Sequence, residues 1–377
     1  MSSRVKNALY TKQYNRLKIL RLLRQEPLSR ASLARLTGLT RAAISLITED
    51  LIAEGMICES SLPTQSHLRG RTPVLLELCE DAAYAIGIRL TRNACHVGIC
   101  NFQGQLIIQA RLPLEKSAED LMRPIADTVS RLLKKAGIPR RKLLGAGVSA
   151  PGPVDALSGR ILNPPDFPGF QDFPIGSRLS ELLELPVYLE NDANAAALHN
   201  YMDGSFSHKD NFLLLIVDSG VGSGVISRGK LLRSGGFTCE LGHMSIDFRG
   251  PRCACGNRGC LEVFAATHRV LAQFPGYNSW EELMASDHAP TALQAEAEYL
   301  AAAILNFSNI LHIDAVLLAG DLQAQCGRLA PLIQQNMQGH SLTLGETQLA
   351  ILPALQDRDS HVREACSIVF GHFLEVS

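Results

Sequence analysis

Residues 240–262 read ELGHMSIDFRGPRCACGNRGCLE, and the interpretation of the whole chain starts from this stretch. Three of the ten cysteines, Cys253, Cys255 and Cys260, fall within eight residues, and His243 precedes them. One imidazole and three thiolates together make a ligand set of structural zinc. The intervening glycines allow the chain to turn sharply, because a residue without Cβ enters positive φ at little cost.

Two other interpretations of the cysteines are ordinary buried thiols and a disulfide. Core cysteines pack as small hydrophobes and do not usually cluster in a run dominated by Gly, Arg and Asn. A disulfide between Cys253 and Cys255 would be strained. The sequence therefore predicts a zinc ion with four protein ligands, which leaves no open position for an activated water and makes the metal structural.

The same stretch resembles the signature of the ROK family of repressors, uncharacterised reading frames and sugar kinases. The family pattern is Glu-x-Gly-His followed by Cys-x-Cys-Gly-x-x-Gly-Cys-x-Glu. The matching positions are Glu240, Gly242, His243, Cys253, Cys255, Gly256, Gly259, Cys260 and Glu262. The resemblance extends over nearly the whole chain, and it implies an α/β protein with a two-lobed, ribonuclease-H-like domain of the actin and hexokinase superfamily.

Length and composition favour a globular chain of two or three domains. The chain has 377 residues, of which 46% are hydrophobic and 19% are charged. No apolar run approaches the roughly 20 residues of a membrane span, and the N-terminus carries charges instead of an apolar signal segment. We therefore expect a cytoplasmic protein without a membrane span. Ten cysteines in so large a chain suit a reducing compartment better than a disulfide framework.

The small net charge of −1 conceals an uneven distribution. Up to Thr48 there are ten lysines and arginines against one acid, Glu26, whereas the remaining 329 residues carry 26 basic and 36 acidic groups. A basic N-terminal segment on an acidic body suggests that this segment meets phosphate.

The basic segment has the pattern of a winged helix-turn-helix, and residues 1–80 are predicted to form this domain. An amphipathic helix over Tyr14–Arg24 precedes a short helix capped by Ser29, a turn at Gly38, and a third helix capped by Thr40. Residues 56–57 and 74–78 then form a two-stranded wing. The same pattern fits any three-helix bundle with a glycine turn, but ROK repressors carry such a domain at this position.

In this interpretation, one face of the third helix and the wing tip contact double-stranded DNA. Basic wing residues suit a minor groove, where negative potential is concentrated. The predicted DNA-binding residues are Arg30, Thr40, Arg41, Ala42, Ser45, Thr48, Arg69 and Arg71.

Residues 81–377 are predicted to form the ROK sugar-binding domain, with the zinc in its second lobe. Residues 82–90, 94–100 and 106–110 form a β-meander, and residues 118–136 form a helix. Buried strands are predicted at 144–149 and 315–319, with a long apolar helix over 293–311 between them.

The resemblance also implies which residues surround a sugar. Asp192 matches the general base of the kinases, and the full sugar-binding set is Asn163, Asn191, Asp192, Glu240, His243 and Glu262. Carboxylates and amides suit this task because they accept hydrogen bonds from vicinal hydroxyls. His243 would have two tasks, one nitrogen on zinc and the other toward the sugar. From the residues alone, Asn191 and Asp192 are better explained as helix caps.

The nucleotide motifs of the kinases are degraded. Arg89 stands where the family has a magnesium-binding aspartate, Asp218 opens the second phosphate loop, and Asp321 follows the remnant of the adenosine motif. Because phosphoryl transfer depends on placing metal and phosphates, we expect no enzymatic activity and only a vestigial base at Asp192. Arg89 could instead contact the phosphate of a sugar phosphate, or it could be a surface arginine at a strand end.

The sequence therefore predicts a transcriptional regulator, most simply a repressor, of genes for carbohydrate uptake or catabolism. A sugar or sugar phosphate in a degenerate kinase cleft would control its affinity for an operator, and a homodimer or a dimer of dimers would read a palindrome. A sugar-transport protein could replace the sugar as effector. The alternative is an active ROK kinase that phosphorylates a hexose or N-acylhexosamine with ATP.

Overall fold

The computed structural model describes most of the chain, namely residues 3–60, 74–165, 167–202, 206, 209–340, 349–357 and 359–374, with side chains from residue 11 onward. The chain divides into two compact units. Unit 1 contains Met1–Glu190, Tyr201–Ser207 and Asp359–Ser377, and unit 2 contains Asn191–Asn200 and His208–Arg358. The N-terminal residues before the predicted boundary at residue 80, here called the head, belong to unit 1 together with the first lobe. The domain boundary itself stays a prediction.

Three helices and a small sheet form the head. They are α1 Ser3–Gln25, β1 Leu28–Ser29, α2 Arg30–Thr37, α3 Arg41–Ala53, β2 Ile57–Glu59 and β3 Leu75–Leu78, with antiparallel strands in the order β1-β3-β2. Ser29 Oγ accepts from the Ser32 N–H at 3.1 Å and Thr40 Oγ1 from the Ala43 N–H at 3.2 Å, so both predicted caps are confirmed. The predicted order of helices and wing is confirmed, and β1 is a third strand that was not predicted.

The rest of unit 1 is built on a five-stranded sheet. Its strands are β4 Tyr84–Leu90, β5 Ala94–Asn101, β6 Leu106–Pro113, β7 Leu143–Ala150 and β10 Val187–Asn191, in the order β10-β7-β4-β5-β6. Strands β4 to β6 form the predicted antiparallel meander, and β7 is parallel to β4. The other elements are α4 Ala118–Ala136, β8 Val154–Asp155, β9 Arg160–Ile161, α5 Ile175–Leu183 and α12 Ser360–Leu374.

A row of glycines lets α12 lie directly on this sheet. Gly87 on β4 pairs with both Gly98 on β5 and Gly147 on β7. A Cβ on Gly147 would lie 2.0 Å from the Ala365 carbonyl oxygen, so a larger residue at this position would displace the helix. The apolar residues at alternate positions of β4 face the opposite side and form a core with α4 and α5.

Unit 2 has a second five-stranded sheet. Its strands are β11 Phe212–Val217, β12 Val221–Ser227, β13 Lys230–Leu231, β14 Ala315–Gly320 and β15 Ala350–Pro353, in the order β13-β12-β11-β14-β15. The helices are α6 Asp192–Met202, α7 Leu261–Ala265, α8 Thr267–Leu271, α9 Trp280–Met284, α10 Ala289–Ser308 and α11 Cys326–Met337. The apolar faces of α7 to α11 and the sheet enclose one large core.

The two sheets share one topology. In each, three consecutive antiparallel strands come first, and two later strands are added beside the first of them. In both sheets the fourth strand runs parallel to the first. This repetition confirms the predicted two-lobed, ribonuclease-H-like α/β fold. Among the described helices, none combines the length and apolar character that crossing a membrane requires.

Candidate functional site

The four predicted metal ligands converge in unit 2. The ligand atoms of His243, Cys253, Cys255 and Cys260 all lie within 4.8 Å of one another. His243 Nδ1 is 3.5 Å from Cys253 Sγ, and Cys255 Sγ is 3.6 Å from Cys260 Sγ. With metal–sulfur bonds of about 2.3 Å, the ligand atoms of a tetrahedral site lie roughly 3.8 Å apart. The geometry and the donor chemistry therefore fit a tetrahedral metal ion.

The backbone around these ligands is held by close contacts that require glycine. Gly259 has φ +61°, and a Cβ there would lie 1.6 Å from the Asp247 carbonyl oxygen. The Cys253 N–H donates to the Asn257 carbonyl at 2.9 Å, which closes a tight loop around Cys255. A hydrogen bond from the Asn257 backbone N–H lowers the pKa of the exposed Cys255 thiol. At Cys255 the loop thus favours the thiolate form that a metal ligand needs, whereas burial raises the pKa of the Cys253 and Cys260 thiols.

Glu262 connects this metal-ligand cluster to the β11–β12 hairpin. Its Oε1 is 4.0 Å from His243 Nδ1 and 4.0 Å from Cys253 Sγ. Its other oxygen, Oε2, accepts a hydrogen bond from the Val221 N–H at 3.2 Å. The family-signature residues His243 and Glu262 are therefore neighbours, and both are partly exposed.

The Gly-His turn of the signature packs against the same hairpin. A Cβ on Gly242 would lie 2.0 Å from the Val221 carbonyl oxygen, so only glycine allows this approach. The Leu241 N–H donates to Ser223 Oγ at 3.0 Å, which fixes the turn on β12. Glu240 precedes the turn and is exposed, and its Oε1 accepts from Thr238 Oγ1 at 2.8 Å. The turn places Glu240 and His243 on the same short segment.

Asn191 ends β10 and Asp192 begins α6, which also packs on β12. Asn191 Oδ1 accepts from the Asn194 N–H at 2.8 Å, and Asp192 Oδ1 accepts from the Ala193 N–H at 2.9 Å. The cap interpretation of Asn191 is therefore confirmed, and it does not exclude a further role for the amide. Gly224 on β12 would clash with the Ala193 carbonyl oxygen if it carried a Cβ, at 2.3 Å.

Carboxylates of the chain itself occupy the turn between β11 and β12, which the resemblance predicted to be the second phosphate loop. Asp218 Oδ1 accepts from the Gly220 N–H at 3.1 Å, and Glu262 accepts from the next amide, that of Val221. Burial raises the pKa of Asp218, and the negative charges of Asp192 and Asp321 raise it further against the opposing Gly220 hydrogen bond. Two backbone donors of this turn are thus already paired with anions.

Asp321 belongs to the same carboxylate group. Thr267, the first residue of α8, donates from Oγ1 to Asp321 Oδ2 at 2.7 Å. The Thr267 N–H also donates to the Asp218 carbonyl at 2.9 Å. Asp218 and Asp321 are therefore tied together through one threonine.

Asn163 and Arg89 lie in unit 1. Asn163 is exposed in the loop after β9. Arg89 is only 9% exposed, and its Nη1 donates to Ser149 Oγ at 2.7 Å. The interpretation of Arg89 as a surface arginine is wrong, because the side chain is buried beside Ser149 of β7, on the face of β4 that also carries Gly87. His96 is opposite Arg89 on β5, and burial together with Arg111 and Arg89 lowers the pKa of His96.

Most of the predicted DNA-binding residues of the head are accessible. Thr40, Arg41 and Ala42 are exposed at the start of α3, and Ser45 and Arg30 are partly exposed. Arg69 and Arg71 lie outside the described residues.

Thr48 lies on the buried face of α3 and not on the outward face where it was predicted. Its side chain is fully buried, and its Oγ1 accepts from Arg30 Nε at 3.1 Å. The expectation that Thr48 projects outward is wrong, because it follows Ile44 by four residues and precedes Leu51 by three, which places it on the buried face. The outward positions that the sequence interpretation missed are Leu46 and Glu49, and correct helical phasing would have found both.

Comparison with known proteins agrees with these features. Residues 85–369 match the ROK family. The xylose repressor of Bacillus subtilis (strain 168) is 28% identical over 382 residues, covering 97% of each chain. A solved ROK family transcriptional regulator, a homolog of the E. coli MLC protein, has a TM-score of 0.79 at 24% identity over 97% of each chain. The ROK hexokinase from Thermus thermophilus has a TM-score of 0.64 at 26% identity, covering 77% of this chain and 99% of its own. The protein described by this sequence belongs to the ROK family.

Proposed function

We propose that the chain is a cytoplasmic, DNA-binding transcriptional repressor of carbohydrate uptake or catabolism genes. The basic head with its exposed α3 would bind a double-stranded operator, and a sugar or sugar phosphate bound by the ROK domain would lower operator affinity. The full-length similarity to a xylose repressor supports this proposal. A homodimer or a dimer of dimers would present two heads to a palindrome.

The observation that carries the proposal over a kinase is the occupied phosphate turn. The Gly220 and Val221 amides donate to Asp218 and Glu262, so a nucleotide phosphate would have to displace two carboxylates of the chain. A phosphate in this turn would be repelled by the negative charge of these carboxylates. It would also add negative charge to a site where the pKa of Asp218 is already raised. Phosphoryl transfer needs the opposite arrangement, with donors and a metal facing the phosphates.

We further propose that the metal-ligand cluster holds structural zinc through His243, Cys253, Cys255 and Cys260. Bound zinc would supply a rigid tetrahedral cross-link and no open coordination position. Because His243 Nδ1 faces the thiols, the other ring nitrogen would serve the sugar. Glu262, 4.0 Å from two of the ligand atoms, would be held in place by the same ion.

The proposed sugar-binding set is Asn163, Asn191, Asp192, Glu240, His243 and Glu262. Asn191 uses Oδ1 for its cap, so its amide NH₂ is the group proposed to contact a hydroxyl. Arg89 is proposed to contact the phosphate if the effector is a sugar phosphate, since a guanidinium binds phosphate bidentately. In that case Arg89→Ala weakens binding of a sugar phosphate and leaves binding of the free sugar unchanged.

The second candidate function, an ATP-dependent hexose or N-acylhexosamine kinase, is favoured by Asp192 at the start of α6. A coupled assay of ADP release with a panel of hexoses separates the two functions. The repressor proposal predicts no turnover above background. Turnover that disappears in Asp192→Asn would refute it and establish the kinase.

The test of the repressor itself is duplex binding by the full chain. Duplexes selected by the protein from a random pool are titrated at fixed salt, with and without xylose, glucose, N-acetylglucosamine and their phosphates. The proposal predicts selective binding that one of these compounds weakens at least about five-fold, the low end of typical allosteric coupling. If binding is selective but no sugar changes it, a sugar-transport protein becomes the proposed effector; absence of duplex binding refutes the proposal.

A further inference from the structure

The exposed face of α3 is more apolar than its role in an anionic groove would suggest. Buried residues define one side of the helix, and four exposed residues lie opposite them at 100° per residue. These four residues, here called the outer stripe, are Ala42, Leu46, Glu49 and Ala53. Leu46, at the centre, is 64% exposed. Leu46 is thus a large apolar side chain open to contact at the centre of the helix face that lies opposite the core.

Charged residues flank the outer stripe. The acids on the side of α3 that faces α1 are paired: Lys12 Nζ is 2.9 Å from Asp50, and Arg16 makes a two-pronged ion pair with Glu54. Arg41 is exposed at the first turn, where the helix dipole also favours negative charge. The stripe thus carries three apolar residues and one acid, in a head whose first 48 residues hold ten basic residues and one acid, which suits the floor of a DNA groove better than an acidic protein surface.

The major groove contains one apolar group that an α-helix can recognise, the 5-methyl group of thymine. In helix-turn-helix proteins, the N-terminal residues of the recognition helix meet the base edges. Ala42 and Leu46 lie one turn apart in that part of α3. We infer that Ala42 and Leu46 read thymine methyl groups in the operator half-site, and that Leu46 is the main specificity residue of the head. This inference rests on the proposed function.

Glu49 lies about one helical turn after Leu46 on the outer stripe and is therefore also placed to contact a base. A carboxylate in the major groove accepts a hydrogen bond from the N4 amino group of cytosine, and it repels a phosphate. Glu49 therefore fits a base contact and does not fit a backbone contact. The half-site is expected to present thymines opposite Ala42 and Leu46 and a cytosine opposite Glu49.

The test removes single methyl groups from the DNA. In a duplex selected by the full chain, each thymine is replaced in turn by deoxyuridine, and affinity is measured at fixed salt. Loss of one contacted methyl should weaken binding about four-fold, the equivalent of about 0.8 kcal/mol for a buried carbon. The ratio of the affinity for the thymine duplex to the affinity for the uracil duplex is here called the thymine-to-uracil ratio. In Leu46→Ala, this ratio should fall to about one at the position that Leu46 contacts. Leu36→Ala, on α2 with a leucine 49% exposed, is the matched control and should keep the wild-type ratio.

The outcomes separate this inference from the proposed function. If the wild-type chain selects no duplex, the proposed function itself fails. If it binds a duplex but shows a thymine-to-uracil ratio of one at every position, or if Leu46→Ala keeps the wild-type ratios, only the inference is overturned. A change in sedimentation of Leu46→Ala with unchanged ratios would also overturn it, because Leu46 would then contact another protein, through the groove it borders with Thr11 and Asn15. Circular dichroism of each variant establishes that α3 is intact.

Discussion

Replacement of Glu296 by methionine should stabilise the protein. Glu296 lies in α10 with no exposed surface, and among the described residues neither of its carboxyl oxygens has a hydrogen-bond partner. Burial raises the pKa of Glu296 well above 4.5, so the folded protein favours the neutral acid. A buried polar group without a partner costs about 1–3 kcal/mol, and methionine has a similar length without polar atoms. Glu296→Met should therefore raise the free energy of unfolding by about 1–3 kcal/mol at neutral pH.

The pH dependence of this gain has a definite sign. Because the folded-state pKa of Glu296 is raised, the folded protein holds a proton that the unfolded chain releases above about pH 4.5. The stability of the wild type therefore falls as pH rises from that value toward the raised pKa. The advantage of Glu296→Met should be smallest near pH 4 and should grow with pH until Glu296 ionises in the folded state.

Calorimetry or urea titration at several pH values measures the effect. For a domain of 150–250 residues, each 1 kcal/mol corresponds to about 2–4 °C in Tm. Glu298→Met is the control, because Glu298 is an exposed neighbour on the same helix and should have little effect. A wild type more stable than Glu296→Met at pH 8, or a difference that does not change with pH, would refute the reasoning.

Two further predictions concern the metal-ligand cluster and the attachment of the head. Cys255→Ser should lose the bound metal, which elemental analysis measures. Its Tm should be lower than that of the wild type and should not respond to a chelator. Cys239→Ser is the control and should retain the metal, because Cys239 is a partly exposed thiol outside the cluster. Arg24→Met should destabilise unit 1 by about 2–4 kcal/mol, because the guanidinium lies 4.4 Å over the Phe370 ring and donates to a backbone carbonyl just after β5. The exposed Arg35→Met is its control, and an equal Tm for the two variants would contradict this role of Arg24.

Local patterns in the sequence predicted the elements that depend on neighbouring residues. The caps Ser29 and Thr40 precede their helices directly, and the clustered residues Cys253, Cys255 and Cys260 are close in sequence, so short-range chemistry was enough to find them. The two-lobed fold came from the resemblance of the motifs, and the repeated sheet topology confirms it.

Features that depend on distant pairs could not be predicted. Glu262 reaches the Val221 amide 41 residues away, and Arg89 reaches Ser149 across β4 and β7, so neither contact has a local signal. The buried position of Thr48 is different, since its spacing from neighbouring isoleucines already indicated the inner face of α3. Its polar side chain suggested an outward position, and the hydrogen bond from Arg30 explains how a hydroxyl is accommodated there.

The most direct test of the account is the operator affinity of metal-loaded and metal-stripped protein, each measured with and without the effective sugar. In the proposed mechanism, the metal-ligand cluster positions His243 and Glu262 for the sugar, and the occupied sugar site controls the head. It predicts that sugar weakens operator binding by the loaded protein and has little effect on the stripped protein. Equal responses to sugar in the two forms, or operator binding that sugar leaves unchanged while ADP is released from ATP, would contradict it.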